Sequence, residues 1–598
     1  MKTVLLFSFT YFHCLGLILS QNWTAPPITD WHKAGVSDTI PDYSSVVNIM
    51  DFGADDSGEL SSNDAFLEAL AALDGQPGVI LFPEGQFFFD RRILLRDSVI
   101  MRGEGADKTE LTFDLDGQIS DAIQIRGQSV NDLIVIEGDI AQNTTELIVN
   151  TDFSGDDLLS QKWFYLVFDD TELMASSWAY GLGGTLVSVK GFSEDTLYLD
   201  QPIRLAISDS LQPFLRPVNP VKGCGIECLK VRRSDPTEFQ TSNILFRFAH
   251  DCWVIGVESE FCNFGHVDIR QSSGITVRGC YFHDAHAFGG GGQAYGVILQ
   301  SSASSCLVEN NAFRLLRHSI LLQSGANGNV IGYNYSTEPF WTGVSLPANS
   351  AGDLVCHGNY PYFNLFEGNI VQNIVVDASH GKNGPHNIFH RNRAELYGIF
   401  MSPGSGTDST HFIGNEVTNT GFLLGNYSLI GAGNIEYGNR VRGQVRPAGT
   451  DSLPLLSLYL TEAPGFWQSA TWPHIGIDNP DLSALNPAFQ RFEQQIYTDC
   501  ERNPRHDPMV GISQPELAGI SVFPNPVSEQ FYIHLDKTRD LDVKIYDLHG
   551  RLIGLEKRHG QSEYSYALPV VHSPVLILHI TDNLTKESCV KRLLVNYD

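Results

Sequence analysis

Basic residues are scarce in this chain: 39 lysines and arginines stand against 69 aspartates and glutamates, for a net charge of -30. That balance argues against nucleic acid as a general partner, because phosphate binding needs a basic footprint. It leaves room for an anionic polysaccharide, since a local basic cleft can sit on an acidic protein. Long apolar runs are also missing beyond the N-terminal stretch. None approaches the ~18 residues of a membrane helix, so no transmembrane segment is expected. The N-terminal run in MKTVLLFSFTYFHCLGLILSQ follows Lys2 and reads as a secretory signal peptide over residues 1–20. Cys14 lacks the small preceding residue of a lipoprotein signal, so a soluble export substrate is expected. Charged residues make up only 18% and apolar ones 42%, which suits a large core; the 55 glycines favour a turn-rich β architecture. Removing Cys14 with the signal leaves an odd number of cysteines, which cannot all pair internally. Cys224 and Cys228 in CGIEC can bridge or bind metal, but no second Cys/His pair at zinc spacing follows, so no metal site is assigned.

What is present begins with VNIMDFGADDSGELSSNDAFLEALAAL, a strand, an acidic turn and an amphipathic helix. GVILFPEGQFFF, ILLRDSVIMRGEG and TELTFDL then read as short strands cut by Gly and Pro turns. A helix leading into evenly spaced strands suggests a capped solenoid. The segment resembles the N-terminal part of the pectate-lyase-like superfamily, through Asp51-Phe52-Gly53-Ala54 and later Phe82, Pro83 and Gly85. That resemblance implies a right-handed parallel β-helix and leaves the reaction open.

From 250 to 440 the chain repeats. Asn311 and Asn334 are 23 residues apart, as are Asn369, Asn392 and Asn415 in turn, and Asn439 extends the column. A period near 23 fits one β-helix coil of three short strands. Stacked coils bring equivalent side chains to about 4.8 Å, where an Asn amide both donates and accepts. The asparagines are therefore read as structural. The β-helix domain is placed at 45–515, with 160–235 as a β insertion or irregular coil and the proline-rich 441–515 as a C-terminal cap and linker. Residues 518–598 read as a small β-sandwich. They resemble the sorting domain of the type IX secretion system of Bacteroidetes, through Pro524-Asn525-Pro526, Ile545-Tyr546-Asp547 with Gly550-Arg551, and Lys591-Arg592-Leu593-Leu594-Val595. SPVLILHI departs from the Gly-x-Tyr strand usual there. The resemblance implies export to the cell surface or beyond, with the secretion machinery as a partner.

Candidate chemistry lies in the loops. YFHDAHAFGGGGQAYG carries His283, Asp284, His286 and Tyr295; residues 337–362 carry Trp341, His357 and Tyr360; SHGKNGPH carries His380 and Lys382; RHSILLQ opens on Arg317 and His318. Uronate β-elimination needs a group to neutralise the carboxylate, a base for the α-proton and an acid for the leaving oxygen. Arg317, Lys382, His318, His380, Tyr295 and His283 supply those types and are the catalytic candidates. Asp284, His286, Trp341, His357, Tyr360, Arg391 and Arg393 are candidate substrate contacts, the two arginines facing solvent. The three loops are expected to converge on one cleft. A hydrolase instead needs paired carboxylates; the repeat is poor in obvious pairs, and Asp268 or Asp284 meeting Asp377 across coils stays open. Asn150-Thr151-Asp152 with Asp156-Asp157 matches pieces of the polygalacturonase signature, but the spacing is too short for successive coils and no Gly-His-Gly follows. No cofactor is assigned, and calcium has no supporting motif. A secreted polysaccharide lyase is the expected function; a glycoside hydrolase and a non-catalytic glycan-binding adhesin stay open.

Overall fold

The computed structural model describes residues 26–502 and 520–595, apart from 38, 131, 151–161, 194, 344–345, 347–348, 403–406, 451, 454, 468–471, 479–484, 524–529, 548–551, 568–574 and 585–587. The signal segment 1–20, Pro524-Asn525-Pro526 and Gly550-Arg551 lie outside the described residues. The chain divides into two units, Met1–Pro504 and Arg505–Asp598.

The first unit is a parallel β-helix. Its first sheet stacks 12 strands in chain order, from Val46–Asn48 to Glu436–Tyr437. The remaining solenoid strands form two further stacks: a second sheet from Ser57–Ser61 through Tyr281–Ala285 to Asn439–Val441, and a third from Ile93–Leu95 through Tyr295–Gln300 to Asn426–Ser428, with Ile370–Val376 and Arg393–Met401 each running through both. Within strands alternate residues turn inward: Val297, Leu299, Ile320 and Leu322 join the interior core, while Ile298 and Leu321 pack outside it. The helix Asn63–Ala72 buries Ala65, Phe66 and Ala69 against the first coils, covering the N-terminal end of the core.

The asparagine column lies inside. Asn311 donates from Nδ2 to Asn334 Oδ1 at 3.0 Å, and the chain of bonds continues through Asn369, Asn392 and Asn415 to Asn439. Each Oδ1 also accepts the backbone N–H of the preceding coil's asparagine. The amides thereby satisfy main-chain groups buried at a sharp corner. A second ladder, Asn329–Asn364–Asn387, repeats the arrangement at another corner.

Two boundaries differ from the sequence reading. The insertion starts at Gln128–Ser129 and ends with the strand Phe214–Asn219, forming a seven-stranded antiparallel sheet with its own core around Ile134, Phe164, Leu166 and Leu215. Gly225–Glu227 has already rejoined the first sheet against Ile100–Arg102, so 220–235 belongs to the solenoid. The segment after 450 is a strap along the flank rather than an end cap. Leu455 and Ile475 carbonyls receive Arg391, Asn486 reaches the Asn334 carbonyl, and Asp499 N–H reaches Gly279. At the last coil Gln444–Arg446 turns back antiparallel on Asn439–Val441 and pairs that edge of the second sheet. Cys228 pairs with Cys500 at the strap's far end, Cα–Cα 5.5 Å, and not with Cys224, which is buried and free. That cross-link closes a loop of 272 residues.

In the second unit the described strands form a five-stranded antiparallel sheet. Phe531, Ile533, Val543, Tyr566, Leu578 and Leu593 share its core.

Candidate functional site

The third sheet's outer face carries three columns of side chains. Tyr295 and His318 are register partners in the first. Asp268, Ile298, Leu321, Val355 and Val375 align in the second. The last runs Arg126, Arg247, Arg270 and Gln300, then continues through Gln323 and His357 to Asp377. The insertion walls one side: Tyr165 Oη lies 2.8 Å from Ser302 Oγ, and Asn359 Oδ1 accepts from Ala175 N–H at 2.8 Å. Residues 281–294 and 337–343 wall the other and touch each other through Phe288 and Phe340, ring centres 5.2 Å apart.

Aromatic and imidazole rings line this floor in sequence. Centroids are 5.0 Å apart for Tyr295 and His318, 5.6 Å for His318 and His357, and 5.1 Å for His357 and His380. His380 meets Ser176 Oγ at 2.9 Å and the edge of Trp178. Arg317 lies between Tyr295 and Trp341, its guanidinium carbon 5.6 and 4.8 Å from the two ring centres, and donates to Gly289 O. A cation sandwiched between aromatic faces is held without a counter-ion.

Electrostatics sort the histidines. His318 Nδ1 sits 2.7 Å from the Gly352 carbonyl, an acceptor only, so Nδ1 carries the proton and Nε2 the lone pair. Burial, then the neighbouring His357 and Arg317, push His318 down to about 3, so it is neutral near pH 7. His357 Nδ1 lies 2.7 Å from Asp377 Oδ2. Burial would raise Asp377, but that bond and the charge of His357 outweigh it and hold the carboxyl below its usual range. An ionised Asp377 fixes the Nδ1–H tautomer and frees His357 Nε2. His380 is lowered by burial and by His357. Tyr295 is raised by burial and keeps its hydroxyl proton. Four buried polar atoms at this site have no hydrogen-bond partner among the described residues: His318 Nε2, Arg317 Nε, Gln323 Oε1 and Trp341 Nε1.

His283, Asp284 and His286 do not join this floor. His283 lies on the outer side of the second sheet, in register between Glu260 and Arg314. It bonds Asp284 at 2.6 Å and Glu258 at 3.2 Å, with Lys230 holding Glu258 and Glu260. Glu260, His283 and Asp284 bring potential ligand atoms within 4.8 Å of one another, but Lys230 and Arg314 already supply cations there. His286 faces the Arg233 carbonyl. The 281–294 loop therefore reaches this floor through the Gly289 carbonyl and Phe288, and not through its histidines. Lys382 is exposed on a turn, and Tyr360 lies beside Tyr362 in the turn after His357. Arg391 and Arg393 are buried rather than solvent-facing. Arg391 is bound by Asp478 and the strap carbonyls, and Arg393 pairs with Glu416 at 2.8 Å. The strap covers the surface that the alternation of Arg391 and Arg393 around Asn392 leaves outside.

Sequence reasoning missed Asp377 as the partner of His357, the arginine column, and Asp121. Burial and the nearby Asp268 raise the Asp121 carboxyl above its usual range, although the Ser242 N–H bond opposes them.

The fold and both ends of the chain agree with the comparisons. Residues 46–155 match the family of rhamnogalacturonase A/epimerase, pectate lyase-like proteins, and residues 521–596 match the secretion system C-terminal sorting domain. The described fold is thus a parallel β-helix whose first coils match a pectate-lyase-like family model, and the chain's last segment matches a secretion sorting domain. No curated protein matches it. Among solved structures it is similar to the tailspike gp49 of Pseudomonas phage LKA1, with 13% identity and a TM-score of 0.48. That match covers 62% of this chain and 64% of the tailspike, less than two thirds of its length. An exopolygalacturonase from Thermotoga maritima is similar at 12% identity and a TM-score of 0.36, over 64% of this chain and 83% of that one. PorZ of Porphyromonas gingivalis, a component of the type-IX secretion system, is 28% identical over 14% of this chain and 13% of its own, TM-score 0.13.

Proposed function

We propose that the chain is exported by type IX secretion and cleaves a uronic-acid polysaccharide by β-elimination in the third-sheet groove. The sorting-domain match supports the export. The His357–Asp377 pair, set among cations and aromatic rings, carries the reaction assignment. His357 Nε2 removes the proton α to the uronate carboxylate, whose growing charge Arg317 stabilises. The electron pair forms the C4–C5 double bond as the C4–O bond breaks. The Tyr295 hydroxyl gives its proton to the departing oxygen. Neutral His318 holds the sugar by hydrogen bonding through Nε2. Asp268 is committed to Arg270 and Gln300, and Asp377 to His357, which disfavours the free carboxylate pair a hydrolase uses.

A hydrolytic reading has one observation in its favour, the raised Asp121 carboxyl near Asp268, which suits a general acid. Incubation with polygalacturonate, alginate and glycosaminoglycans separates the readings. Elimination gives ultraviolet-absorbing unsaturated ends in step with new reducing ends; reducing ends without that absorbance would overturn the lyase assignment. Binding without cleavage, unaffected by His357→Ala and His318→Ala, would leave a glycan-binding protein.

A further inference from the structure

Arg126, Arg247 and Arg270 occupy successive coils of the third sheet and are register partners. Parallel strands lie ~4.8 Å apart, so three guanidinium stems leave the sheet within about 10 Å of one another. Only Arg270 is neutralised, by Asp268. Arg247 gives one hydrogen bond, from Nε to Gln271 Oε1 at 3.0 Å, and lies over the Phe248 ring. Arg126 is exposed. Among the described residues neither Arg126 nor Arg247 has an ion pair. Burial, then the charges of Arg126 and Arg270, lower Arg247. Arg216 stands on the insertion wall opposite Tyr165, whose hydroxyl reaches Ser302, so both face the same side. A chain of net charge -30 has carboxylates to spare, yet among the described residues none pairs with Arg126 or Arg247. Like charges at this spacing repel, and an anion between them relieves the repulsion.

The row is collinear with the proposed reaction centre. From His357 the column steps back through Gln323 and Gln300 to Arg270, then Arg247 and Arg126, three, four and five coils away. One coil step of ~4.8 Å is close to the advance of one pyranose along an extended chain. We infer that Arg126, Arg247 and Arg270 form a strip that binds consecutive carboxylate-bearing sugars of a polysaccharide lying along the groove. The inference rests on the uronate reading of that groove and adds to it the substrate's form: a run of acidic residues reaching at least five coils from His357, with its anionic contacts toward the N-terminal coils.

The test uses the full chain with the substitutions Arg126→Gln and Arg247→Gln together, and with Lys at both positions. Affinity for long oligogalacturonates, for alginate and for dextran sulfate is measured across a salt series, with a neutral glucan as control and thermal unfolding as the folding check. The double Gln variant is expected to keep its melting temperature, lose at least tenfold in affinity for the carboxylated chains and show a flatter salt dependence. The double Lys variant is expected to retain most binding. Unchanged affinity in a folded double Gln variant would overturn the strip. So would arginine-dependent binding confined to dextran sulfate, which would assign it to sulfate esters. The two readings fail separately: cleavage abolished by His357→Ala but indifferent to the arginines removes the strip alone. Arginine-dependent binding of polygalacturonate or alginate without cleavage of any uronate polymer removes the lyase alone.

Discussion

Two histidine clusters stand on adjacent faces of the same coils, and they differ in what they leave unpaired. On the second sheet, His283 is held by Asp284 and Glu258, Lys230 by Glu258 and Glu260, and Arg314 by Asp284 and Glu338. Nearly every charge meets its opposite; Tyr281 stacks on the His283 ring and Tyr497 on Tyr281. On the third sheet, His318, Arg317, Gln323 and Trp341 each keep an unpartnered buried atom. Residue types are alike; unsatisfied hydrogen-bonding capacity is not. Buried polar groups are almost always paired, and under the proposed function the polysaccharide supplies the missing partners on this floor. In the second-sheet cluster only Glu260 Oε2 lacks a hydrogen bond among the described residues, and Lys230 stands 3.0 Å from it, so the cluster reads as a structural ion-pair network.

The largest effect that tests this contrast is catalytic. His357→Ala or Asp377→Asn should lower turnover of the uronate polymer about 10²- to 10⁴-fold, the range of a lost general base or its orienting group. His283→Ala should leave turnover within about threefold and instead cost about 1–3 kcal/mol of stability, by removing a buried ring bonded to both Asp284 and Glu258, which then keep only Arg314 and Lys230. Initial rates and urea midpoints on the three variants decide it. Loss of turnover in His283→Ala at unchanged stability would reverse the roles of the two faces.

The contrast was only partly legible in the sequence. Asn311 to Asn439 announced the coils because a stacked corner repeats its residue at a fixed interval. Asn329, Asn364 and Asn387 keep steps of 35 and 23 and carried the same signal. The arginine row was hidden because the insertion separates Arg126 from Arg247 by 121 residues. Asp377 follows His357 by 20 residues, off the period. Facing was harder still. Strict alternation from the inward Val297 would place Tyr295 inside, but Tyr295 packs outside with Ile298 and Leu321. Gly296 absorbs the slip: a side chain there would collide with the Ser319 carbonyl and the Phe313 ring. The strap that buries Arg391 has no periodicity, so nothing local announced its path.

A smaller effect has opposite sign on the two faces. Burial holds His318 at about 3 against an ordinary ~6.5, so the unfolded chain takes up the proton first as pH falls. Stability tied to His318 is therefore present above pH ~6.5 and lost toward 3, by about 2 kcal/mol at pH 5. Burial also opposes the charge on His283, but its bonds to Asp284 and Glu258 outweigh that and raise it. Its contribution is full below the unfolded value and fades as pH rises through the folded one. The penalty of His318→Gln should thus shrink on moving from neutral pH to about pH 5, and that of His283→Gln should grow. Urea unfolding at both pH values reads the difference; penalties moving in the same direction would break the contrast.

The smallest effects lie at the rims. Trp341→Ala removes the outer face of the Arg317 sandwich and should raise KM about 3- to 10-fold, roughly 1 kcal/mol, with kcat nearly unchanged, because it touches binding and not the transferred proton. Glu338 is the matching rim residue of the closed cluster. It meets Arg314 at 3.3 Å with its side chain 59% exposed, so water and salt screen the pair. Glu338→Gln should shift stability by less than about 0.5 kcal/mol and leave KM alone. Arg314 keeps Asp284 and the Tyr281 hydroxyl after that loss, so its charge is never orphaned. A KM change in Glu338→Gln as large as that of Trp341→Ala would mean that polysaccharide crosses the second-sheet face as well, and a closed network would then no longer exclude a binding surface.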